Sequence, residues 1–287
     1  PCDFLLPSRH RVQRDLIGQL SGDLCHLTRP DLIVFLRFKI NNHCSRISTS
    51  IEYTLTSNIW TVCMPYALNN GIRIHYHVEG NGPPLLMIHG WSDSLDDWYD
   101  HGYVDAMKSK YQMIMLDARG HGRSDKPHAP EAYNMDVVVS DVMAVQDHLG
   151  LDQAVYLGHS MGARIGFSLA DIMPERFRAF ILGSSSPGND KPYRYHRRAR
   201  RLNYGMERYL EGVESRGGRM EPEGHRDRFL ANDALALSAL TTAIGNSPGL
   251  ESLLPNLDTP VLIYAGSNDA VHSSAQEAAE SGPTASF

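Results

Sequence analysis

At 287 residues, 42% hydrophobic and 21% charged, the chain can bury a full core as one large domain or two small ones, and it lacks the composition of a disordered chain. A formal net charge of −6 gives no support to a nucleic-acid partner. The longest apolar stretch, residues 32–38, is short and broken by Arg37, so the sequence predicts no membrane span.

Residues 1–20 carry Asp3, Arg9, Arg11, Arg14 and Asp15, which leaves no apolar centre for a signal peptide and predicts cytoplasmic residence. Cys2, Cys25, Cys44 and Cys63 form no Cys-x-x-Cys pair, so they read as free thiols and the sequence predicts no metal site. All four precede Met64, whereas only Gly18 and Gly22 of the 24 glycines do. This break in composition sets a boundary near residue 63. Residues 1–63 are left as an unassigned N-terminal extension, either a non-native or alternative stretch before a natural start at Met64 or a short divergent domain.

From Met64 the pattern sharpens. Residues 66–68, a turn at Asn69-Asn70-Gly71, and the alternation Ile72, Ile74, Tyr76, Val78 predict a β-hairpin with one buried face. Residues 85–88 form a continuous apolar run suited to the middle of a parallel sheet, ending at His89-Gly90-Trp91. Residues 98–107 are expected to be helical, and residues 112–116 form the next buried strand, followed by the polar turn from Asp117 to Asp125 that contains Arg119 and His121. Asn134 is placed to cap a helix over 135–149 with an apolar stripe of Val137, Val138, Val142, Val145 and Leu149, stopped by Gly150.

Next comes Gly158-His159-Ser160-Met161-Gly162, between a buried-strand run at 154–157 and a helical stretch at 161–171 with Ile165, Leu169 and Ile172 on one face. By composition alone Gly-x-Ser-x-Gly arises roughly once in ten chains of this length. Its strand-to-helix setting is what makes Ser160 a candidate nucleophile, because a serine on a strained turn needs neighbours of little bulk. Residues 180–182 and 261–265 predict further buried strands after Pro174 and Pro260, and strands alternating with helices predict a mostly parallel sheet with helices on both faces. Residues 186–257 read as a helical insertion dividing the core into 64–185 and 258–287. Its first part crowds Lys191, Arg194, Arg197, Arg198, Arg200 and Arg201, which is either a solvated helix face or an anion-attracting rim.

In open parallel sheets ligands bind beyond the carboxyl ends of the strands, and each special cluster falls at such an end. An oxyanion formed by attack from Ser160 needs preorganised donors, and the main-chain N–H groups of Trp91 and Met161 are the candidates. Asp269, across a glycine turn from residues 261–265, could orient an imidazole. His89, His159 and the polar turn read as structural.

With these motifs in order, residues 64–269 resemble the α/β-hydrolase family, in its cofactor-free serine esterase, lipase and peroxidase-like branch. The resemblance rests on His89-Gly90-Trp91, the Arg119 to Ser124 run within the polar turn, Gly158 to Gly162, and Gly266 to Asp269. It implies a central eight-stranded sheet, a helical cap at 186–257 after the sixth strand, a Ser–acid–His triad using Ser160 and Asp269, and neither cofactor nor metal. Ser160 stands where related haloalkane dehalogenases and epoxide hydrolases carry a carboxylate nucleophile, which speaks against those activities.

The family's triad histidine lies some 25 to 30 residues beyond the acid. Only His272 follows Asp269 here, three residues on and too close to serve. Residues 281–287 show no strand or helix signal, so the sequence predicts that the eighth strand, final helix and triad histidine are lacking. The expected function is therefore a serine hydrolase of a small ester or related acyl substrate, impaired without its histidine. The alternatives are a non-catalytic small-molecule-binding homologue, or a carbon–carbon bond hydrolase or cofactor-free peroxidase on the same scaffold. Oligomeric state is left open.

Overall fold

The computed structural model describes residues 66–188, 191–216 and 223–287, so the expected extension at 1–63 lies outside the described residues. Strands β1 (Tyr66–Asn69) and β2 (Ile72–Glu79) pair antiparallel. The two residues between them, Asn70 and Gly71, both take positive φ, 48° and 84°, as a tight hairpin turn requires. Then come β3 (Pro84–Ile88), α1 (Asp96–Asp100), α2 (Tyr103–Met107), β4 (Gln112–Leu116), α3 (Met135–His148), β5 (Ala154–His159), α4 (Met161–Ile172) and β6 (Phe177–Gly183). Helices α5 (Pro192–Leu202), α6 (Met206–Glu214), α7 (Glu223–Leu230) and α8 (Ala234–Asn246) follow, and the chain finishes with β7 (Val261–Tyr264), α9 (His272–Ser281) and β8 (Ala285–Ser286). The strands form one eight-stranded sheet in the order β1-β2-β4-β3-β5-β6-β7-β8, parallel from β4 to β8.

The unbroken apolar runs of the central strands follow from burial on both faces. Leu86, Ile88, Ile114 and Leu116 pack with Tyr156, Val138, Val142, Ile165 and Leu169, whereas their alternating neighbours Leu85, Met87, Met113 and Met115 pack with Leu95, Trp98 and Val104. A strand has a side-chain period of two, so one apolar run feeds both layers. Each such side chain, fully buried, contributes about 1.5–3 kcal/mol.

Four expectations need correction. The helix expected over 98–107 is two short helices, because the chain turns at Gly102 with φ 76°. Ile172 is 42% exposed, so the buried face of α4 is carried by Ile165 and Leu169 instead. Asn134 starts α3 without a side-chain capping bond; its carbonyl accepts from the N–H groups of Val137 and Val138. The eighth strand, expected to be lacking, is present as two residues paired parallel to β7, Ala285 opposite Val261 and Ser286 opposite Leu262. A two-residue strand is too short to leave an alternating signal.

No helix among the described residues is long and apolar enough to cross a membrane. The loops after β3 and β4 are tied by buried charge. Asp117, 1% exposed, accepts from the His75 ring and from the N–H groups of Leu95 and Arg123, each at 2.8 Å. Burial alone would raise its pKa, but these hydrogen bonds and the nearby His89 hold it well below the usual carboxylate range. Arg119 makes a two-pronged pair with Asp141 at 2.5 and 2.6 Å and also donates to the Ala132 carbonyl. The polar turn thus serves as a clamp.

Replacing Asp117 by Ala should cost about 3 kcal/mol or more in urea unfolding, because the buried donors around it lose their acceptor. Its folded pKa lies below the unfolded value, so its stabilisation is present above the unfolded pKa and is lost as the pH falls through the folded one. The wild type should therefore lose stability more steeply than the variant below pH ~4.

Candidate active site

The site is built on the turn from β5 into α4. Register places Gly158 of β5 beside Ile88 of β3. The Gly162 N–H donates to the His89 carbonyl at 3.1 Å, which draws the first turn of α4 onto the end of β3. A Cβ on Gly162 would sit 2.1 Å from the Ile88 oxygen, and one on Gly158 would sit 2.4 Å from the Gly162 carbonyl, so no larger residue fits either place. The Tyr156 hydroxyl donates to the Gly162 carbonyl at 2.6 Å from beneath. Between the glycines Ser160 is forced to φ 52°, ψ −104°, a conformation that costs a non-glycine residue about 1–3 kcal/mol. Its N–H donates to the Gly183 carbonyl at 2.8 Å, and its hydroxyl makes no helix-capping bond.

Met161 opens α4, and Trp91 follows the His89-Gly90 bend. Among the described residues neither main-chain N–H has a protein acceptor. The Trp91 side chain is occupied differently: its indole N–H donates to Thr241 of α8 at 3.1 Å, Arg198 of α5 lies 4.8 Å above its ring, and Tyr209 and Phe229 pack around it. One residue therefore presents a main-chain donor and anchors the helices inserted between β6 and β7.

His89 is a spacer. Its Nδ1–H donates to the Gly90 carbonyl at 2.8 Å and its Nε2 accepts from the Ala118 N–H at 3.2 Å, which fixes the orientation of the ring. His121 packs edge-on against it at 5.1 Å, fully buried, and its pKa is pushed down to about 3 by burial and by His89. Asp269 lies beyond β7, two strands from β5. Its Oδ1 accepts from the Val271 N–H at 3.1 Å, and the His272 N–H donates to its carbonyl at 3.0 Å. The His272 ring instead packs on Phe287 at 5.2 Å, with its buried Nδ1 unpaired. Among the described residues no imidazole hydrogen-bonds Asp269 or the Ser160 hydroxyl.

Composition and periodicity missed a second group. Asp93 sits in the loop after β3, where burial and, next, the charge of Asp97 push its pKa up. It lines a cavity of about 570 Å³ together with His89, Gly90 and His159. Beside that cavity Asp97, Asp100 and His225 bring their ligand atoms within 4.8 Å of one another, but Arg228 already ion-pairs with both carboxylates.

Comparison with known proteins agrees with this architecture. Residues 83–220 match the family model for the alpha/beta hydrolase fold. A Bacillus subtilis (strain 168) protein provisionally named as a 2-succinyl-6-hydroxy-2,4-cyclohexadiene-1-carboxylate synthase is 29% identical over 224 residues, 70% of this chain and 80% of that protein. Epoxide hydrolase 4 of Mus musculus is 32% identical over 127 residues, 44% of this chain, and the match spans only 35% of that relative. The crystal structure of the enol-lactonase from Burkholderia xenovorans LB400 has a TM-score of 0.66 at 24% identity, covering 77% of this chain and 88% of the lactonase. The chain has the α/β-hydrolase fold, and residues 83–220, just under half of it, carry the match to that family.

Gly162→Ala should destabilise the chain by about 1–3 kcal/mol, read from the urea midpoint, because the added methyl meets backbone that cannot yield. A second expectation concerns acid. The folded pKa of His121 lies below its unfolded value near 6.5. Between pH 6.5 and the folded value near 3 only the unfolded chain takes up that proton, so stability falls by up to about 1.4 kcal/mol per pH unit. A His121→Gln variant should lose less stability than the wild type between pH 6.5 and 4.5 in paired urea titrations.

Proposed function

We propose that this chain is a serine hydrolase of small esters or related acyl compounds, with Ser160 as nucleophile, the Trp91 and Met161 N–H groups as oxyanion donors, and Asp269 as the acid of a Ser–acid–His arrangement. The observation that carries the reading is the strained Ser160 turn, with an uncapped hydroxyl, and the main-chain N–H groups of Trp91 and Met161 left without protein acceptors among the described residues. In this reading Oγ attacks the carbonyl carbon, the oxyanion is met by the two N–H groups, the ester C–O bond breaks to leave an acyl-serine, and water releases the acid. The helices at 186–257 act as the cap over the acyl group, and the cycle uses neither metal nor cofactor. Cytoplasmic residence belongs to the same reading.

The relatives support the reaction class more than the substrate. Among the solved structures of similar fold are an enol-lactonase and a thermophilic esterase from Thermogutta terrifontis, both named for cleavage of an ester bond. Epoxide hydrolysis fits poorly, because the residue at the turn is Ser160 and not the carboxylate that chemistry uses. With His272 turned to Phe287, no imidazole among the described residues is placed to take the serine proton. In subtilisin, loss of the triad histidine costs on the order of 10⁶ in turnover. That same observation favours a second reading, a binding protein that keeps the pocket without the chemistry.

Chemical rescue separates the two. Imidazole added to the 287-residue chain should raise p-nitrophenyl acetate hydrolysis above the level of a Ser160→Ala variant in the same buffer, by an increment that grows with imidazole. Equal rates in the two proteins would favour the binding reading.

A further inference from the structure

Helix α5 concentrates positive charge on a chain whose net charge is −6: residues 191–204 hold Lys191, Arg194, Arg197, Arg198, Arg200 and Arg201 and no acid. Its inward side is fixed. Ala199 and Leu202 are buried, and Tyr195 and His196 lie so close to Gly245 of α8 that a Cβ there would sit 3.0 Å from each. Arg198 reaches inward over the Trp91 ring, and the Ser238 hydroxyl of α8 donates to the Asn203 side-chain oxygen at 2.6 Å. At about 100° per residue, Arg200, Tyr193, Tyr204, Arg197, Arg201 and Arg194 follow one another across an arc of roughly 120° on the opposite side. Tyr204 continues the last turn, its N–H donating to the Arg201 carbonyl at 3.2 Å. Tyr193 and Tyr204 are 60% and 75% exposed, Arg194, Arg197 and Arg200 are exposed, and Arg201 is half-buried. Among the described residues none of these four guanidinium groups has an ion-pair, hydrogen-bond or ring partner.

Free guanidinium groups and phenol rings on one outward face fit an anionic surface. A protein partner would need more, since a stable interface draws about 20–30 residues from each side and the arc is a single helix face. A nucleic-acid strand is held in a basic groove, and no residue of the arc lines the cavity beside Asp93 or the groove between α4 and α8. A layer of lipid headgroups asks for neither depth nor sequence. Its phosphates and carboxylates meet the arginines wherever they fall, and tyrosines settle at headgroup level with the ring toward the acyl chains and the hydroxyl toward water. The acids elsewhere on the chain do not cancel this attraction, because charges more than about 8 Å from the surface are screened at physiological salt.

We propose that the outward face of α5 is a docking surface for an anionic phospholipid membrane, which the protein binds peripherally through Arg194, Arg197, Arg200 and Arg201, with Tyr193 and Tyr204 at the two ends of the helix. Attachment is electrostatic and reversible, and each arginine at an anionic surface contributes about fivefold in affinity. Docking needs no catalysis by Ser160, so it holds whether or not that serine is a nucleophile.

Co-sedimentation of the full 287-residue chain with vesicles tests the surface. The protein should pellet with phosphatidylcholine vesicles containing about 30% phosphatidylserine, stay in solution with phosphatidylcholine alone, and come off as salt rises from about 50 to about 300 mM. Arg197→Ala combined with Arg200→Ala should weaken binding about 25-fold, whereas Arg178→Ala, at an exposed arginine of β6, should leave it unchanged. Tyr193→Ala combined with Tyr204→Ala should weaken it as well. Both double variants keep the buried side of α5, so their circular dichroism should match that of the wild type. Oligothymidylate and polyglutamate should bind less tightly than the acidic vesicles. Equal pelleting with the two kinds of vesicle, an unchanged affinity in the double arginine variant, or tighter binding of either polymer would overturn the proposal.

Discussion

The close approach of α4 to the ends of β3 and β5 is the contact on which the site depends. It exists because Gly162 can lie against the Ile88 carbonyl and Gly158 against Gly162. Ser160 has no relaxed conformation available between them, and the cost of its backbone is offset by the packing around it: Tyr156 below, Ile165 and Leu169 along the buried face of α4, and the register of β5 against β3 and β6. The same approach brings the loop carrying Trp91 beside the start of α4. The strained Ser160 turn and the setting of that loop thus arise from one packing event.

Around that event the molecule divides its polar residues by task. Asp117, Arg119, Asp141 and His89 are buried and fully engaged, so they hold loops and have no free capacity for chemistry. The side chains of Ser160 and Asp93 are the opposite, with no hydrogen bond from the protein among the described residues. Trp91, in the loop after β3, has its ring packed against Arg198, Tyr209, Phe229 and Thr241 of α5, α6, α7 and α8. Movement of those helices would therefore be felt at the loop after β3.

Much of this was legible in the amino-acid order because burial on both faces turns a central strand into a continuous apolar run. The strands β3, β4 and β5 were found within a residue or two of their bounds for that reason, and the glycine pair marked the turn. Where local signals compete, legibility fails. Trp98 and Val104 are buried on either side of Gly102, so hydrophobicity alone suggested one helix where the backbone makes two. Asn134 has the side chain of a cap but does not use it. β8 is too short for any period to show. Asp93 carries no motif; only the folded loop after β3 brings it to the cavity that His159 also lines.

What remains is a strained serine turn set apart from any imidazole partner: among the described residues none hydrogen-bonds the Ser160 hydroxyl. That separation is useful, because position and turnover can be tested apart. The most direct measurement is peptide mapping of the chain after prolonged exposure to a fluorophosphonate in imidazole buffer. The account predicts one adduct, on Ser160, absent from Ser160→Ala. An unmodified Ser160, or adducts spread over other serines at equal level, would contradict it.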